Sequence, residues 1–207
     1  MYQDFIHTEE ESLIEAAQHG NSLATGRLVQ LWYQKIYNYA LKFLGSKELA
    51  AEVSQQTFIS LHKNIHTLQD KSKFKPWIYT IVANKCREEA RRKKRWRIFS
   101  FDQVLSDKVD ADSPTWEISR PRDTNPESKY LQSEMGALLK NCIKKLPEGQ
   151  REVLIMKEYE GLKFREIADI LHISENTAKS RLYYAFDALR KMLKKENISK
   201  ETVSYEF

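Results

Sequence analysis

Between Gly161 and Leu193 the apolar residues fall into two helical stripes separated by a break, and that spacing leaves few options for the local fold. Phe164, Ile167, Ala168 and Leu171 stand at i, i+3, i+4 and i+7, so a short helix buries one side. His172, Ile173 and Ser174 interrupt the period, and Ser174 is a good N-cap for a second helix. On that helix Ala178, Leu182, Ala185, Leu189 and Leu193 recur at helical spacing and form a buried stripe. At about 100° per residue, Asn176, Thr177, Lys179, Ser180, Tyr183 and Tyr184 point away from the stripe, with Arg181 on its flank. Hydrogen-bonding, cationic and aromatic groups therefore crowd the start of the second helix, where a helix-turn-helix meets base edges and phosphates. Periodicity alone leaves a merely solvated helical hairpin equally open.

The rest of the chain narrows the choice. Its 207 residues suffice for two small helical domains, and with only six glycines and five prolines it lacks the turn residues of a sheet protein. The expected fold class is all-α: two small helical domains, 1–97 and 130–207, joined by a flexible acidic linker at 98–129. The net charge of +5 is unevenly spread. From Lys85 to Arg97 eight basic residues outnumber two acidic ones, a local excess of +6 that could neutralise several phosphates. A solvated helix end is the competing reading of that block. Segment 98–129 carries three of the five prolines and seven acidic against four basic residues, without apolar periodicity, as an extended tether would. Trp116 and the Phe99/Phe101 pair are exceptions there, suited to local packing or docking.

Cys86 and Cys142 are far apart, no run of about 18 apolar residues occurs, and the first residues do not read as a signal peptide, so a cytoplasmic protein without membrane insertion is expected. His62 and His66 are four apart with Cys86 as a further ligand, but no third ligand sits at a zinc-site spacing. No metal, cofactor or catalytic residue is expected, and no nucleophilic triad or phosphate-cradling loop supports an enzyme.

Helices are expected from residue 9 to 19, from Ser22 to Leu44, from Lys47 to His66, and from Pro76 into the basic block. The second of these buries Leu28, Leu31, Trp32, Ile36, Tyr39, Ala40 and Phe43. The third buries Leu49, Val53, Phe58, Leu61 and Ile65, leaving Glu52, Gln55, Gln56 and Lys63 outside as a partner surface. The fourth carries Trp77, Ile78, Ile81 and Val82, with Trp77 and Ile81 on its apolar stripe. A further helix is expected near Tyr130, another from Leu146-Pro147-Glu148 to Gly161, and then the helix-turn-helix.

Two distant segments then carry one resemblance. Ala51-Glu-Val-Ser-Gln-Gln-Thr-Phe58 with Phe74-Lys-Pro-Trp-Ile-Tyr-Thr-Ile-Val-Ala-Asn84 resembles the second region of bacterial sigma factors. Leu146-Pro-Glu-Gly-Gln-Arg-Glu-Val-Leu154 through Arg181 resembles their fourth region. With a short linker in place of the third region, the arrangement is similar to the extracytoplasmic-function group.

The resemblance implies a protein that joins core RNA polymerase, recognises a promoter and helps to open it. Glu52, Gln55 and Gln56 match the surface for the β′ clamp helices, although the family commonly has aspartate at position 52 and an acid at 56. Lys73, Lys75, Asn84, Lys85, Arg87, Arg91 and Arg92 become candidates for minus-10 DNA, with Trp77 and Tyr79 as possible stacking surfaces for unpaired bases. Core packing is the competing role for Trp77, and Trp96 is uncommitted. Glu175, Asn176, Thr177, Lys179, Ser180, Arg181 and Tyr184 match the minus-35 reader. Arg181 has a rival structural role, an ion pair with Glu166. His172 stands where the family usually has glycine, at a position needing positive φ. The resemblance also implies contact with the β flap, an anti-sigma partner, and a linker whose negative charge imitates nucleic acid along the RNA exit path. A helix-turn-helix repressor or response-regulator output domain, acting without polymerase, is the alternative.

Overall fold

The computed structural model describes residues 2–100 and 126–195. Of the acidic tether expected at 98–129, residues 101–125, with Phe101 and Trp116, lie outside them, as do the side chains of Trp96, Arg97 and Phe99, while its two ends are helical. Among the described residues there are eight α-helices and no strand: α1 (Tyr2–Gln18), α2 (Ser22–Leu44), α3 (Lys47–Asn64), α4 (Phe74–Ser100), α5 (Pro126–Lys145), α6 (Glu148–Leu154), α7 (Phe164–Leu171) and α8 (Glu175–Lys195). They form two compact units, one holding α1–α4 together with Asp169–His172 and the other holding α5, α6, the rest of α7 and α8.

The helix ends in the first unit follow from its polar caps. Asn21 Oδ1 accepts the backbone N–H of Leu23 and Ala24, which starts α2. Gly45 closes it in the left-handed region at φ 70, sending its N–H to the Leu41 carbonyl. Ser46 then caps α3 through the Leu49 N–H. Inside α3, Ser54 and Thr57 are buried and donate their hydroxyls to the carbonyls of Ala50 and Val53, so neither leaves a polar group stranded.

The core of this unit is aromatic. Trp32, Tyr39, Phe74 and Tyr79 meet in edge contacts, with Trp32 to Phe74 at 5.4 Å and Tyr39 to Tyr79 at 5.6 Å between ring centres. Trp32 Nε1 donates to Glu10 on α1, and Gln18 Nε2 donates to the carbonyls of Ile65 and Leu68, which ties α1 to the turn after α3.

Three expectations are corrected here. Leu31 is 53% exposed, because it lies about 100° around α2 from the centre of the stripe of Leu28, Trp32, Ile36, Tyr39 and Phe43. The stripe of α4 is Phe74, Ile78, Val82, Cys86 and Glu89, so Tyr79 is buried beside it while Trp77 and Ile81 are only partly covered. Helix bounds also reach further than expected: α1 begins at Tyr2, α4 continues to Ser100, and α5 starts at Pro126, whose fixed φ and missing N–H suit a first helical position.

In the second unit Cys142, Ile143, Leu146 and Leu154 pack against Ala185 and Leu189 of α8. A π turn, Ile155–Tyr159, continues α6 and is capped at Glu160, after which Gly161 turns the chain at φ 63. Leu162 fills the core below it at 0% exposure.

Candidate nucleic-acid interface

The helix-turn-helix is built as its sequence suggests. Lys163 sends its N–H to Glu166 Oε2 at 2.6 Å, so Glu166 closes the start of α7 by reaching back one turn. Ile167, Ala168, Ile170 and Leu171 are buried, while Phe164 is partly covered. His172 turns the chain at φ 53, the single non-glycine residue with positive φ among those described. Ser174 then caps α8, its Oγ accepting the Thr177 N–H at 3.0 Å. Ala178, Ala185 and Leu189 are buried, and Leu182 and Leu193 pack at the margin of that core.

The opposite side of α8 is open. Glu175, Asn176, Thr177, Lys179, Ser180 and Tyr184 are all exposed. Lys179, Ser180, Tyr183 and Tyr184 line one depression of about 270 Å³, with the two tyrosine rings edge to face at 5.7 Å. Lys179 Nζ stands 4.0 Å from Glu175 and 5.8 Å from the centre of the Phe164 ring, over which Lys157 also lies at 5.0 Å. Tyr183, 70% exposed, belongs to this surface although its sequence position alone gave no role beyond facing outward.

Arg181 does not pair with Glu166, whose carboxylate is occupied with the Lys163 N–H. Its guanidinium lies instead against Gly149 of α6: a Cβ on that glycine would stand 3.1 Å from Nη1 and 3.2 Å from Cζ.

In the first unit the basic helix divides its cations between two roles. Asn84, Arg87 and Arg91 fall within about 60° of one another on the outer side of α4, and Arg87 Nη2 donates to Asn84 Oδ1. Arg91 also lines a depression of about 410 Å³ with Glu88, Lys94 and Arg95. Lys85 and Arg92 sit instead on the flank nearer the buried stripe. Arg92 Nη2 is 2.7 Å from Glu89 Oε2 and 3.7 Å from Glu52 Oε2, so it joins α4 to α3. Lys73 is exposed at the end of a short 3-10 turn, 4.0 Å from Asp70, and Lys75 lies in the first turn of α4.

Trp77 leans on Phe74 with ring centres 5.9 Å apart and keeps part of its surface open. Tyr79, at 1% exposure, has no face left for a base.

On α3, Glu52, Gln55 and Gln56 share the outer side, and Gln56 Nε2 donates to Glu52 Oε1 at 3.2 Å. Ile59 lies amid them at 48% exposure, and Tyr33 of α2, 43% exposed, stacks on Phe58 close by. Sequence reasoning passed over both. The signal was an apolar residue standing off the buried stripe.

Residues 28–96 match the model of sigma-70 region 2 and residues 137–189 that of sigma-70 region 4, together more than half of the chain. The chain belongs to the extracytoplasmic-function sigma factors. It is similar to the ECF RNA polymerase sigma factor SigW of Bacillus subtilis, 28% identical over 192 residues that cover 87% of this chain and 95% of that one. To the RNA polymerase sigma-H factor of Pseudomonas aeruginosa it is 27% identical over 187 residues, covering 89% and 94%. The fold is shared with CnrH, solved in complex with the cytosolic domain of CnrY, at a TM-score of 0.62 and 20% identity over 89% of this chain and 97% of that one. It is also shared with the sigma factor RpoE of Bartonella quintana, solved with the anti-sigma factor NepR, at a TM-score of 0.63 and 20% identity over 82% and 96%. All candidate residues of this sigma factor's first unit fall inside the region 2 match, and all those of the second inside the region 4 match. No helix among the described residues is long and apolar enough to cross a membrane.

Proposed function

We propose that the two units of this sigma factor read two separated promoter elements while held on core RNA polymerase. The observation that carries the reading is the pairing, on one chain, of an open polar and aromatic face on α8 with an outward row of Asn84, Arg87 and Arg91 on α4.

Residues 130–207 take the minus-35 duplex. Glu175, Asn176, Thr177, Lys179 and Ser180 approach base edges, and Arg181 and Tyr184 the backbone, with Tyr183 beside them. Residues 1–97 take the minus-10 element. Asn84, Arg87 and Arg91 meet phosphates, Lys73, Lys75 and Lys85 flank the displaced strand, and the open side of Trp77 receives an unstacked base. Arg92 contributes through its bond to Glu89 as well as through its charge.

Glu52, Gln55 and Gln56 form the polymerase-facing surface, and Ile59 with Tyr33 supplies its apolar centre, so that contact with the β′ clamp helices buries what is otherwise exposed. The second unit meets the β flap, an anti-sigma protein covers these surfaces until a signal releases them, and segment 98–129 tethers the units. The protein works in the cytoplasm, has no catalytic activity of its own and needs no cofactor.

Run-off transcription with purified core polymerase tests the reading. The chain should direct start sites that core alone does not use, and should bind promoter fragments tightly only with core present. Tight operator binding by the chain alone, without run-off products, would establish the repressor alternative.

A further inference from the structure

We propose that Gly149 is a positioning residue for Arg181, its missing side chain forming the seat on which the guanidinium rests. The function of the seat rests on the assignment of Arg181 to promoter binding.

Gly149 is the second residue of α6, a place where glycine is a poorer helix former than alanine. Its backbone does not demand glycine, since the positive φ values belong to Gly20, Gly45, Gly161 and His172. Gly26 and Gly136, also helical, have open space where a Cβ would go, whereas at Gly149 that space is filled by Nη1, Cζ and Nε of Arg181 at 3.1 to 3.4 Å. The helix therefore carries a propensity cost for which the arginine is the visible reason.

Arg181 is half-buried and forms no ion pair among the described residues. A free arginine side chain samples many rotamers, so a surface that orders it in advance leaves less entropy to be lost when a phosphate arrives. Contact with bare backbone orders the group without neutralising it. A carboxylate at the same place would order it and quench it.

The guanidinium is the far end of a flexible side chain, so alanine at 149 displaces it by a few tenths of an ångström and glutamate captures it. Gly149→Ala should reduce occupancy of a minus-35 element by reconstituted holoenzyme about twofold, and Gly149→Glu about tenfold, close to the loss in Arg181→Ala. Both substitutions should hold or raise the melting temperature of the free chain, since alanine and glutamate suit a first helical turn better than glycine. In an Arg181→Ala background, Gly149→Glu should cost nothing further. Wild-type occupancy in Gly149→Glu, or an equal loss with and without Arg181, overturns the proposal. If Arg181→Ala itself leaves occupancy unchanged, the promoter assignment of Arg181 has failed and the seat's function with it. The seat's existence is read separately, by a nuclear Overhauser contact between the Gly149 Hα protons and the Arg181 side chain in the free protein; its absence overturns the seat whatever the DNA result.

Discussion

Arg92 holds the carboxylate of Glu89 at 2.7 Å, and Glu89 is only 6% exposed. The buried stripe of α4 thus ends on a charge whose neutralising partner comes from the basic block.

Removing Arg92 should therefore act on stability as well as on DNA. Arg92→Ala leaves Glu89 buried without its cation and should cost about 1–3 kcal/mol, seen as a lower urea midpoint. Arg91→Ala, at an exposed position, should leave the midpoint within about 0.5 kcal/mol of wild type and lower open-complex formation alone. Equal destabilisation by the two substitutions would refute this division.

Trp77 and Tyr79 should separate in the same way. Tyr79→Ala empties an aromatic site in the core and should destabilise by about 3–5 kcal/mol. Trp77→Ala should unfold the protein less readily, yet reduce permanganate reactivity of thymines in the opened promoter. Promoter opening that survives Trp77→Ala unchanged removes the stacking role.

His172 occupies the left-handed region at φ 53, where a side chain is strained by about 1–2 kcal/mol. Glycine there relieves the strain but gives the unfolded chain more freedom. His172→Gly should consequently raise the melting temperature modestly, and a marked fall would mean that the imidazole itself holds the turn.

Acid sensitivity in the first unit should involve Glu15. A hydrogen bond from Lys71, and then its charge, hold the Glu15 carboxyl below the ordinary carboxylate value. A depressed folded value means that the contribution is complete above the unfolded pKa and is lost as pH falls through the folded one. Lys71→Gln should flatten stability against pH in that acid range, because it lowers stability near neutrality, where the contribution is complete, and changes little at low pH, where it is already lost. An unaltered acid limb would exclude Glu15 as a contributor.

Much of the fold was legible because caps and periods agreed. Ser22–Leu44 could be bounded from Asn21 and Gly45, and the start of α8 from Ser174. The register of α4 was hidden, because its buried stripe includes Cys86 and Glu89 while Trp77 and Ile81 stand partly outside it. Hydropathy favours the wrong pair. Leu31 and Ile59 were readable in principle, since counting 100° per residue takes both off their stripes. Glu166 was not, because a carboxylate at that position can close its own helix or pair with Arg181, and only the observed Lys163 N–H decides. The approach of Gly149 to Arg181 joins positions too distant for any local period to reveal.

The π turn at Ile155–Tyr159 holds one residue more than an α-helical turn would. An extra residue rotates the remainder of that turn by about 100°, and the chain then leaves the helix at Gly161 before Leu162 returns to the core. Chain length and spatial register are decoupled at that one place. A one-residue deletion there has slack to draw on before it moves the reading head that follows.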